Sequence, residues 1–140
     1  MNIRQFAIAY AAGGIAFLAL DAAWLASMAE RVYRPAIGHL MRSGFDISAA
    51  ALFYALYLAG MVFFAVAPAL EARSWTSALG RGALLGLFAY ATYDLTNQAT
   101  LKEWPWRLTL IDLAWGSLVT ALAAAAGCRA ALLLGGPAGR

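Results

Sequence analysis

Four long apolar runs separated by short polar breaks organise the chain, at about 5–27, 47–70, 76–97 and 108–133. A transmembrane helix needs about 20 mainly apolar residues, so each run reads as one span. Residues 1–140 read as a single transmembrane domain. The expected fold is an all-α, polytopic four-transmembrane-helix bundle with both termini on one side, here called side A. The break over 28–46 is the one long enough for a surface helix. Its Arg31, Tyr33, Arg34, Ile37, Leu40 and Met41 suit a segment lying flat in the interface, and Pro35 would start or break it. Trp104-Pro105-Trp106 reads as an interfacial anchor ahead of the fourth run. The first run reads as a retained span and not a cleaved signal peptide. It outlasts the usual apolar region of about 7–15 residues and contains Asp21 and Trp24.

Composition reinforces the pattern. Apolar residues make up 64% of the chain and charged residues 12%, against about 45–50% and about 25% in a soluble domain. Disorder is excluded, because a disordered chain is poor in aliphatics and rich in charge. The net charge of +3 is small and scattered, so nucleic acid is not an expected partner and the lipid bilayer is. Nine of ten basic residues are Arg amid abundant Ala and Gly, a bias of GC-rich bacterial codons. The expected place is the bacterial inner (cytoplasmic) membrane. Arg4, Arg73, Arg81, Arg129 and Arg140 fall on side A, and Arg31, Arg34, Arg42, Lys102 and Arg107 on side B. The tie leaves orientation to the amino terminus, which points side A to the cytoplasm. Cys128 is the one cysteine, so no internal disulfide forms.

Charge changes the picture at three positions. Glu30, Asp46, Glu71 and Glu103 fall in breaks, whereas Asp21, Asp94 and Asp112 fall inside runs. An acid at mid-bilayer costs about 2.5–3.5 kcal/mol on insertion scales, and such residues are functional candidates by default. At 1.5 Å per residue all three lie within about 5–9 Å of the side B boundary, on three different helices. The second run supplies Phe53, Tyr54 and Tyr57 at that level. Ten basic and four acidic residues then lie outside the apolar centre, a basic exterior around an acidic interior.

Helical spacing groups these residues into stripes. Tyr90, Tyr93, Asp94 and Asn97 fall on one face, with Gly82 and Gly86 above them. Asp112, Gly116, Thr120, Ala123 and Gly127 form a second stripe, and Gly13 or Gly14, Phe17, Asp21 and Trp24 a third. Small residues allow close helix approach. The bundle is therefore expected to be tight towards side A and to open a polar, aromatic pocket near side B. Its walls would be Trp24, Tyr54, Tyr57, Tyr93, Asn97 and Trp115. If the three acids converge, they cannot all ionise in a poorly hydrated site. General acid/base work or a hard divalent cation would then be within reach. The bland rival is that each Asp is structural glue for Tyr, Trp, Thr and Asn donors. His39, the one histidine, reads as a surface residue. No zinc pattern, Walker loop or nucleophile elbow occurs. No cofactor is indicated.

Asp21-Ala22-Ala23-Trp24 and Asp112-Leu113-Ala114-Trp115 share Asp-x-Ala-Trp on oppositely directed helices. Their flanks do not align at the same offset, so the echo reads as chance. The two Trp residues read as belt residues or as plates for a common ligand.

Ala89-Tyr90-Ala91-Thr92-Tyr93-Asp94-Leu95-Thr96-Asn97, followed by Ala99-Thr100-Leu101 and Trp104, forms a specific string. With Leu20-Asp21-x-x-Trp24-Leu25, Phe53-Tyr54-x-x-Tyr57 and Asp112-Leu113-x-Trp115-Gly116, it resembles the domain of unknown function 2177 family of small bacterial membrane proteins, from about residue 6 to 126. The resemblance implies a four-span inner-membrane protein without an established activity, loosely associated with lipid modification and envelope stress. The motif positions present are Asp21, Trp24, Tyr54, Tyr57, Tyr93, Asp94, Thr96, Asn97, Asp112 and Trp115, with no departure among them. The leading reading is a protein that binds or carries a small ligand or lipid headgroup. The alternatives are a lipid enzyme with an Asp-based acid/base or cation site, and a structural subunit whose seams at Gly82/Gly86 and Gly116/Thr120 bind a partner protein.

Overall fold

The computed structural model describes residues 1–136; Arg140, assigned above to side A, lies outside them. Helix α1 spans Ile3–Met28. It begins in a capping box, in which the Asn2 side chain accepts the Gln5 N–H and the Gln5 side chain accepts the Asn2 N–H. It runs on through a π-helical turn, Ala29–Tyr33, into the short α2, Arg34–Ile37, and a 3₁₀ turn, Gly38–Leu40. Helix α3, Ile47–Met61, is capped by Asp46 and continues through a second π turn, Val62–Val66, into α4, Ala67–Glu71. Helix α5 covers Trp75–Thr100, capped by Ser74, and α6 covers Trp106–Leu134.

Each π turn stops two residues short of a proline, Pro35 or Pro68. A proline ring has no N–H to give the carbonyl four residues back and crowds it. Widening the turn before it relieves the crowding: Arg34 N–H bonds to Ala29 O and Ala67 N–H to Val62 O, five residues apart. This corrects one expectation. The 28–46 break holds no separate surface helix, because α1 carries on as a 38-residue helical run, Ile3–Leu40.

Helix α6 is the centre of the bundle, packed along its length against α5 on one side and α1 on the other. Lipid tails are as apolar as Leu, so helices in a bilayer associate through close packing more than through hydrophobic burial. The small residues supply that packing. A Cβ on Gly86 would lie 2.1 Å from the Gly116 carbonyl oxygen, and one on Gly82 would lie 2.7 Å from Thr120 O. Gly127 lies as close to Ala9 O on α1. Helix α3 touches the rest mainly at its π turn, which buries Val62, Ala65 and Val66 and leaves Phe63 and Phe64 facing outward.

Three stretches, Ile3–Leu40, Ile47–Glu71 and Trp106–Leu134, are long and apolar enough to cross a membrane. Helix α5 is as long as α1 but more polar, carrying Arg81 and Asp94. It packs along α6 as the fourth long helix. Gln5 Nε2 donates to Gly136 O at 3.2 Å, so the start of α1 and the end of α6 meet.

Trp104 and Trp106 divide the anchoring role expected of both. Trp106 is 61% exposed, but Trp104 is 6% exposed and folds back as a plug in the α5–α6 turn. Its Nε1 donates to Thr109 Oγ1 at 3.1 Å, Thr109 Oγ1 donates to Gln98 Oε1 at 3.1 Å, and Gln98 Nε2 donates to Trp104 O at 2.8 Å. That closed ring of bonds fixes the hairpin.

Candidate functional site: an aspartate and aromatic centre

The α1–α6 contact sets Asp21 across from Trp115, and Trp24 across from Asp112. The indole rings stack on each other, with centroids 4.3 Å apart and planes 6° from parallel. Trp115 Nε1 donates to Asp21 Oδ1 at 3.3 Å. Trp24 Nε1 donates to Tyr33 Oη at 2.9 Å, and Tyr33 donates onward to Asp112 Oδ1 at 2.6 Å. Tyr54, from α3, donates to Asp21 Oδ2 at 2.5 Å. Each carboxylate therefore receives one tyrosine hydroxyl, and each Trp of one motif is linked to the Asp of the other, once directly and once through Tyr33. The lengths of both tyrosine bonds lie in the range of charge-assisted O–H···O⁻ contacts.

The two Asp-x-Ala-Trp segments are thus in physical contact. The same geometry corrects the reading of the two Trp residues: they are plates for each other, with no gap for a ligand between them. The stack contributes about 0.5–1.5 kcal/mol beyond its burial.

Asp94 is built differently. It is 0% exposed, against 8% for Asp21 and 6% for Asp112. Neither of its oxygens has a hydrogen-bond partner among the described residues. All three acids are buried. Among the described residues no three Asp, Glu, His or Cys side chains are grouped so as to hold a metal ion.

The remaining expected wall residues divide. Tyr57 is adjacent to the network, its ring 5.4 Å from Phe17 and its hydroxyl 2.7 Å from Thr120 Oγ1. Along the face of Tyr90, Tyr93, Asp94 and Asn97, Asp94 is buried, Tyr90 and Asn97 are half-buried, and Tyr93 is 58% exposed. Tyr90 and Tyr93 line a crevice. Between α3 and α5 lies a space of about 340 Å³ lined by Phe53, Tyr57, Ala89, Tyr90 and Tyr93. It shares Phe53, Tyr57 and Ala89 with a neighbouring apolar groove of about 340 Å³ that runs on to Leu56, Gly60, Phe64 and Leu85. Of the residues expected to form the pocket, Tyr57 and Tyr93 line this crevice; Asp21, Asp94 and Asp112 do not.

A family model for predicted membrane proteins (DUF2177) matches residues 6–129, a stretch that holds every residue named in this site. The chain belongs to the DUF2177 family. No curated protein and no solved structure matches it.

In this DUF2177 protein three site residues escaped the sequence reading. Tyr33 was assigned to a surface segment, because a 3.6-residue period cannot foresee where a π turn points a side chain. Tyr90 lies over Gly116, so close that a Cβ on Gly116 would be 2.1 Å from the ring; the available signal was that Gly116 leaves room for a large partner. Thr120 stood on the small-residue stripe, and its hydroxyl went unread. The seams expected to bind a partner protein are packed inside this DUF2177 chain, Gly86 against Gly116 and Gly82 against Thr120.

Proposed function

We propose that this protein holds a lipid or similar amphipathic molecule in the α3–α5 crevice, as a four-span domain of a bacterial inner membrane with side A in the cytoplasm. One observation carries the reading: the lining of the crevice changes along its length. Tyr90 and Tyr93 lie in one part only and Leu56, Gly60, Phe64 and Leu85 in the other, with Phe53, Tyr57 and Ala89 common to both. The exposed edges of Phe53, Leu56, Phe64 and Tyr93 leave it open sideways. Such a slot suits a polar head beside tyrosine hydroxyls with a chain along the apolar groove, entering from the bilayer without crossing water. The volume is within the range of small-molecule sites, about 300–1,000 Å³.

The test fills the slot. Ala89 lines both halves, so Ala89→Trp should abolish lipid retained through purification, read by native mass spectrometry, while helix content is kept. Retention at the wild-type stoichiometry would overturn the reading. Asp94, one turn from Tyr90, favours a second reading, in which it exchanges a proton with a molecule bound there. Loss of turnover of the retained lipid in Asp94→Asn, with the lipid still bound, would single out that reading.

A further inference from the structure

A second cleft, sharing no residue with the first, lies at the side B end of the bundle between the segment after the first π turn and the α5–α6 turn. It measures about 300 Å³, and Arg31, Glu103 and Arg107 line it over an apolar floor that includes Pro35, Pro105 and Leu108. Two positive side chains and one negative one thus face a single small volume. Among the described residues the salt bridges are Arg34 with Glu30 and Arg42 with Asp46, each four residues apart on one segment. Neither Arg31 nor Arg107 pairs with Glu103, although all three share the cleft. Opposite charges that line one cleft without closing on each other leave both signs open to a ligand. Glu103 is also held at φ 63, a left-handed conformation costly for a residue other than Gly, Asn or Asp.

Two guanidiniums suit a phosphate, because each offers a planar fork of donors that fits its oxygens. A carboxylate beside them suits a cationic amine. The ends of α5 and α6 and the exposed Trp106 put the cleft at headgroup level. We infer that this cleft is a binding site for a phosphate group that carries a cationic amine, with Arg31 and Arg107 holding the phosphate and Glu103 holding the amine. Both an aminophospholipid headgroup and a soluble phosphoamine have that chemistry.

The experiment uses the purified full chain and measures binding of phosphatidylethanolamine, of phosphatidylglycerol with the same acyl chains, and of soluble phosphoethanolamine. Wild type should prefer the ethanolamine lipid by about tenfold, the effect of one charge-assisted contact. Glu103→Gln should erase that preference without weakening phosphatidylglycerol. Arg31→Gln with Arg107→Gln should weaken both lipids at least about tenfold. Helix content and indole fluorescence of each variant check the fold, and Arg107→Lys, which keeps the charge but loses the fork, should give a partial loss. Competition by soluble phosphoethanolamine as strong as by the lipid would support the site with a free ligand; competition by the lipid alone would support it with a headgroup. Equal binding of the two lipids by wild type, or binding by Glu103→Gln and the double variant that matches wild type, would overturn the inference. Measured in Ala89→Trp, whose crevice is filled, the ethanolamine preference and its loss on Glu103→Gln should persist, which separates the cleft from the crevice.

Discussion

Around Asp112–Ser117, helix α6 meets its two neighbours differently. Towards α1 it spends side chains: two carboxylates, two indoles and two tyrosine hydroxyls, each engaged by another. Towards α5 backbone nearly meets backbone at Gly86 and Gly116, beside a single bond from Ser117 Oγ to Ala83 O and the Tyr90 ring over Gly116. The third buried carboxylate, Asp94, lies on that second helix without a donor among the described residues, whereas Asp21 accepts two hydrogen bonds and Asp112 one. A buried acid with donors serves as glue, whereas one that accepts none weakens the fold it sits in. The three aspartates, which looked equivalent by depth, are therefore held in two different ways.

That contrast can be broken in four places. The largest effect should come from Gly86→Val, because the carbonyl of Gly116 cannot move aside; we expect a loss of at least about 3 kcal/mol in detergent unfolding followed by circular dichroism. Gly80, with nothing within 4 Å of its would-be Cβ, is the matched control, and Gly80→Ala should be neutral or slightly stabilising. Next in size is Asp21→Ala, which strands the Tyr54 and Trp115 donors. It should cost about 1–3 kcal/mol per donor, towards the low end because an unfolded chain in lipid finds other partners. A double-mutant cycle of Tyr33→Phe with Asp112→Asn should show coupling of about 0.5–3 kcal/mol. The smallest effect should be that of Asp94→Asn, within about 1 kcal/mol of wild type or more stable. If it cost as much as Asp21→Ala, the division between the interfaces would collapse.

Much of this was legible in the sequence. The apolar runs foretold four long helices, and the glycine stripes foretold which faces meet, because both follow from a regular 3.6-residue period. What escaped was whatever depends on a break in that period or on a partner far along the chain. Pro35 and Pro68 signalled interruption, yet the helices absorb them as π turns, and Tyr33 reaches Asp112 only as a result. The two Asp-x-Ala-Trp strings were visible, but their significance lies in an antiparallel register that no single segment encodes. Trp104 and Trp106 look alike in sequence and differ by which side of a hairpin each faces.

The second π turn has a mechanical consequence. Helix α3 is fastened to the bundle near that turn and spans 15 residues beyond it, about 22 Å at 1.5 Å per residue. It is a lever with its fulcrum at one end. A pivot of about 10° there would swing the far tip by roughly 4 Å, widening the crevice. Along that arm three hydrogen bonds, from Tyr54 to Asp21, between Tyr57 and Thr120 and from Tyr10 to Ala55 O, act as catches. Opening the slot would have to release them and part the Phe17 ring from those of Tyr54 and Tyr57.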